Sequence, residues 1–118
     1  MFHVGFDPAP GELKKKGHLF ALIITPTGWT ITEQPDKSDT SSKSIVRAKA
    51  TTPFARGQWF TLLLEMKGDT VVAHVDGKPA LRATAKDFRV KKPGLVFRVG
   101  GADNDEVQID NVRVWTLE

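Results

Sequence analysis

Residues 59–83 read Trp59-Phe60-Thr61-Leu62-Leu63-Leu64-Glu65-Met66-Lys67-Gly68-Asp69-Thr70-Val71-Val72-Ala73-His74-Val75-Asp76-Gly77-Lys78-Pro79-Ala80-Leu81-Arg82-Ala83. Strict alternation from Trp59 to Lys67 puts Phe60, Leu62, Leu64 and Met66 on one face, which is the side-chain period of a strand. Gly68-Asp69 reverses the chain, and Thr70 to Val75 returns beside it. Asp76-Gly77 is a dipeptide preferred by the type I′ hairpin turn, because both central residues of that turn need positive φ. Lys78 to Ala83 then closes a second hairpin. Two linked hairpins and no helical spacing over three turns make this stretch antiparallel β structure.

The same period recurs on both sides. Phe2, Val4 and Phe6 share one face before Asp7-Pro8-Ala9-Pro10-Gly11 ends the first strand. His18 to Thr25 is apolar on both faces and reads as a central strand covered on both sides. Pro26-Thr27-Gly28 turns it into Trp29-Thr30-Ile31-Thr32, a β-branched and aromatic run. Pro35 to Lys43 is a polar loop. Ser44 to Thr51 then follows with Val46, Ala48 and Ala50 inward and Arg47 and Lys49 outward. Downstream, Leu95, Phe97 and Val99 face inward. In the final stretch Val107 and Ile109 fall on one face and Val112 and Val114 on the other, which requires a bulge or bend near Asp110-Asn111. About nine strands in a 118-residue chain predict a single all-β domain over residues 1–118, either two packed antiparallel sheets, a β-sandwich, or a barrel.

Composition limits the function. The chain is 40% hydrophobic and 26% charged, an ordinary globular mixture. The net charge of +3 comes mostly from Lys14-Lys15-Lys16 and Lys91-Lys92, read as loop lysines, with no basic stripe carrying interleaved aromatics, so no nucleic-acid partner is expected. No cysteine is present, which removes disulfides, thiolate metal sites and cysteine nucleophiles. The longest apolar run, Leu19 to Ile24, falls far short of a membrane helix, and no membrane partner is expected. Met1-Phe2-His3-Val4 lacks the basic-then-apolar pattern of a signal peptide.

Three segments taken together, Gln58-Trp59-Phe60-Thr61-Leu62, Val75-Asp76-Gly77-Lys78 and Gln108-Ile109-Asp110-Asn111-Val112-Arg113-Val114-Trp115, resemble the concanavalin A-like jelly roll of laminin G-like modules and family 16 glycoside hydrolases. Within that group the order is most similar to 3-keto-disaccharide hydrolase domains, with a shorter N-terminal part. The resemblance implies a carbohydrate ligand on a concave sheet face, and export from a bacterial cell.

The residues support binding chemistry more readily than hydrolysis. A retaining glycosidase needs two carboxylates about 5–5.5 Å apart, and the family 16 spacing Glu-x-Asp-x-x-Glu is missing from Glu106 to Asp110. His3 and His74, of the residue type most used for acid–base work near neutral pH, join Arg47, Lys49 and Arg98 as polar-face candidates for sugar contacts. Trp29 or Trp115 is the candidate aromatic platform. The resemblance also implies a structural calcium ion, since in jelly rolls of this group an aspartate opening the closing strand helps hold one; Asp110 matches that position, and Asp103, Asn104 and Asp105 upstream add hard oxygens toward the six to eight ligands calcium takes. No other cofactor is expected. A short N-terminal part leaves a sheet edge unpaired, and an unpaired edge is a template for pairing with a second copy; homodimerisation, or a structural role in binding protein, is the alternative to carbohydrate recognition.

Overall fold

The computed structural model describes residues 1–9, 19–35, 41–51, 57–101 and 106–115. Within them the chain forms eight strands: β1 (Phe2–Asp7), β2 (Phe20–Thr25), β3 (Gly28–Glu33), β4 (Ile45–Ala50), β5 (Leu62–Lys67), β6 (Thr70–Val75), β7 (Lys78–Thr84) and β8 (Gly94–Val99). Two antiparallel sheets result, one of five strands in the order β4-β3-β2-β1-β8 and one of three in the order β5-β6-β7. The expected β-sandwich is present.

Local chemistry explains the small sheet. Asp76 and Gly77 have φ of 50° and 82°, the left-handed pair that a type I′ turn requires and that few residues other than Asp, Asn and Gly adopt cheaply. The ladder begins at Leu62 rather than Trp59. Just before it, Thr61 is clamped to the turn, because its amide donates to Asp76 Oδ1 at 2.9 Å and its carbonyl accepts from the Asp76 amide at 2.9 Å.

The two sheets bury the faces that alternation assigned to the core. Val4 and Phe6, Phe20, Leu22 and Ile24, and Ile31 from the large sheet meet Val71, Ala73, Leu81 and Ala83 from the small one. A 3₁₀ helix, Lys86–Arg89, closes one end. Its Phe88 is fully buried and packs 4.8 Å from the ring of Phe20, which in turn stacks 5.0 Å from Phe6. This helix is held by Asp69 in the β5–β6 turn, whose carbonyl accepts from the Ala85 amide and whose carboxylate pairs with Arg89 at 3.3 Å. Lys92 reaches back to the Phe88 and Val90 carbonyls. Of the five lysines read as loop residues, Lys14, Lys15 and Lys16 fall outside the described residues, Lys91 is exposed, and Lys92 is half-buried, where desolvation lowers its pKa.

Among the described residues the sandwich is closed along one side and open along the other. β7 runs close to β4 and β3, whereas β5 and β8 each pair with a single neighbour and end their sheets. Leu95, Phe97 and Val99, the inward positions of β8, remain 38–45% exposed, with Phe97 stacked on Phe2 at a centroid distance of 6.0 Å. The expected ninth strand does not form: residues 107–115 enter no ladder. Their change of phase arises at Asn111, which adopts φ of 54° while its amide donates to Asp110 Oδ1 at 2.9 Å.

Candidate functional site

Register decides which outward side chains meet. On the large sheet Lys49 pairs with Thr30, Thr30 with Ile23, Ile23 with His3, and His3 with Arg98. These five residues form one row across β4, β3, β2, β1 and β8, on the face opposite the core. Strands spaced ~4.8 Å apart place the ends of the row ~19 Å from each other. A parallel row, Val46-Thr32-Ala21-Gly5-Val96, runs beside it.

The second row contains the smallest residues, and there the surface dips. A depression of about 70 Å³ is lined by Gly5, Ala21, Val96 and Gln34 together with His3 and Arg98. A second one, of about 190 Å³, lies toward the other end of the first row, between the β2–β3 turn and β4, with Thr25, Thr27, Thr30 and Lys49 on its walls. Thr30 and Thr32 share a hydroxyl–hydroxyl hydrogen bond of 2.9 Å on this face. The face is therefore a shallow polar strip with a cation at each end. Neither Lys49 nor Arg98 has an ion-pair partner among the described residues. Asp7 is the one carboxylate that alternates onto the face from the described strands of this sheet.

Three candidates named from sequence lie elsewhere. Trp29 points inward and is only 4% exposed, so it offers no surface for a sugar ring to stack on. Arg47 is not a simple outward position. The β3–β4 register shifts between Ile31 and Thr32, Arg47 sits at that irregularity, and its Nε and Nη2 donate to Glu33 Oε2 at 2.8 and 2.7 Å. Glu33, a buried carboxylate that alternation alone did not single out, thereby gains a counter-ion. The same irregularity turns Val46, expected inward, out to 56% exposure. His74 belongs to the other sheet, on the far side of the sandwich from His3. Its Nε2 lies 3.3 Å from Glu65 Oε1, close enough for an ion pair when protonated but without hydrogen-bond geometry to a described partner.

Of the calcium candidates only Asp110 lies among the described residues. Asp103 and Asp105 fall outside the described residues, and Asp110 is exposed and engaged with the Asn111 amide. Among the described residues no three His, Asp or Glu side chains gather as metal ligands. Trp115 is exposed, but at the end of the unpaired stretch and not on the polar strip.

His3, Lys49 and Arg98 were legible as outward positions on separate strands; that they share one row, with Thr30 and Ile23 between them, follows only from the pairing register. Residues Gly5, Ala21 and Gln34, which shape the smaller depression, carried no signal beyond their place in the sequence pattern. No family model, no curated protein and no solved structure matches the chain.

Proposed function

We propose that the domain binds an acidic saccharide, lying along the Lys49–Arg98 row, and does not hydrolyse it. The observation that carries this reading is the register that aligns Lys49, Thr30, His3 and Arg98 on one outer face. Hydroxyl and cationic donors in a shallow strip suit the hydroxyls and carboxylate or sulfate groups of an extended saccharide. With Asp7 as the only strand carboxylate on that face, the two-carboxylate arrangement of a glycosidase has no counterpart there among the described residues. The likeness of three sequence segments to concanavalin-like carbohydrate domains supports the ligand class. It supplies no reaction.

Titration calorimetry against matched neutral and uronate- or sulfate-bearing oligosaccharides tests the proposal. The acidic set binds, and more weakly as salt is raised. Arg98→Gln and Lys49→Gln each remove a charge-assisted contact of about 1.5–3 kcal/mol, which corresponds to a ~10–100-fold rise in Kd. Unaltered affinity in the double variant would remove this face from consideration. Turnover of a 3-keto-glucoside by the wild-type chain would replace a binding role with an enzymatic one.

A further inference from the structure

The open side of the sandwich and the unpaired stretch 107–115 are complementary. The small sheet has three strands against five in the large one, and its β7 end is the end that lies over β4 and β3. Following the order β7-β6-β5 across the large sheet, one more strand beside β5 lies over β8. There Leu95, Phe97 and Val99 stand 38–45% exposed on the inward face. Monomeric proteins seldom leave a large apolar patch uncovered, and an unprotected edge invites another strand. Neither described edge residue pattern blocks it: β5 contains no proline, and only Glu65 and Lys67 are charged along it.

The chain also carries a segment of the chemistry this gap requires. Residues 107–115 contain Val107, Ile109, Val112, Val114 and Trp115, of which the last four are 46–82% exposed. The described hydrogen bonds of the segment are local, from Gln108 to Glu106 and from the Asn111 amide to Asp110. Nine residues in a strand span ~30 Å, more than the ~20 Å of six-residue β5. Among the described residues every copy therefore has one unfilled strand position and one strand-forming segment outside any ladder.

We propose that two copies satisfy each other: residues 107–115 of each add to the β5 edge of the other and cover its β8 face. The exchange is reciprocal and closes as a two-fold dimer, in which each small sheet gains a fourth strand and no further edge of this kind is left to recruit a third copy. Main-chain pairing to β5 supplies hydrogen bonds, and the apolar side chains of the added strand rest on Leu95, Phe97 and Val99.

The test combines sedimentation velocity of the full chain at 5–100 µM, a range of about the usual micromolar scale for such association, with amide hydrogen exchange at both extremes. The mass doubles from 13.0 kDa as concentration rises, and amides in 107–115 and in β5 exchange at least ~10-fold more slowly in the dimer, the mark of newly formed ladder hydrogen bonds. Val112→Asp with Val114→Asp keeps the folded monomer, since both side chains are already exposed, and returns the mass to 13.0 kDa at every concentration. Three results would overturn the proposal: a monomer throughout the range, a dimer in which 107–115 exchanges as fast as an unstructured chain, or protection of 107–115 that is independent of concentration, which would place the segment on its own copy's edge. All are read without saccharide and so stand apart from the binding proposal.

Discussion

Arg47→Ala discriminates between a structural and a ligand-contacting role for the one arginine whose placement departed most from its sequence pattern. In the folded protein both guanidinium contacts, at 2.7 and 2.8 Å, go to a single oxygen of Glu33, whose side chain is 7% exposed while that of Arg47 is 35% exposed. An exposed ion pair contributes about 0–1 kcal/mol, and removing one partner of a buried pair costs about 3–5 kcal/mol. With one member buried and the other a third open to solvent, the loss falls between these limits, at about 2 kcal/mol. For a domain of this size that lowers Tm by roughly 6–12 °C. The cost arises from a buried carboxylate that has lost its arginine, so Arg47→Ala introduced into a Glu33→Gln background costs only about 0.5 kcal/mol, and the coupling between the two sites is about 1.5 kcal/mol. Equilibrium urea unfolding of the four proteins of the cycle, followed by circular dichroism at pH 7, measures it. Equal costs of Arg47→Ala in both backgrounds would refute the reasoning. So would a fully stable Arg47→Ala protein that has lost saccharide affinity, since the arginine would then belong to the ligand and not to Glu33.

Phe88→Ala removes a fully buried ring from the Phe6–Phe20–Phe88 column and is expected to cost about 3–5 kcal/mol; scanning calorimetry should show Tm falling by more than ~10 °C. Lys92 has a pKa lowered by desolvation from its ordinary 10.5, so between the lowered value and 10.5 the unfolded chain holds more protons than the folded one. Stability attributable to this group therefore rises as pH climbs through that window. Lys92→Met flattens that rise in a series of urea midpoints taken at increasing pH.

What could be read from sequence was what depends on neighbours in the chain. The β5–β6–β7 hairpins were legible because alternation, Gly68 and the Asp76-Gly77 pair all specify local geometry, and the observed φ values of 57°, 50° and 82° are the ones such turns demand. Phe88 was not legible, since one aromatic residue in a four-residue helix has no period to display. Arg47 escaped because a register shift between β3 and β4 leaves the composition of both strands unchanged. For residues 107–115, alternation described the two faces of a strand but contained nothing about a partner for its backbone. The candidate row combines both limits: its members are visible one strand at a time, and their alignment exists only through four ladders.

The bonds between the first residue and Gly100, from the Met1 amino group to the Gly100 carbonyl at 2.8 Å and from the Gly100 amide to the Met1 carbonyl at 2.9 Å, join positions 99 apart in the chain. They extend the β1–β8 ladder, the longest-range pairing in the molecule. Closing so large a loop is entropically costly and slow compared with forming the β2–β3 and β5–β6–β7 hairpins. During synthesis β1 emerges first of the eight described strands and β8 last, so one side of β1 waits unsatisfied while the strands between are being made. Anything that delays β8 prolongs a species in which one edge of β1 is unpaired and the Phe2 ring lacks its Phe97 neighbour, the kind of exposed strand edge and apolar surface through which partly folded chains associate.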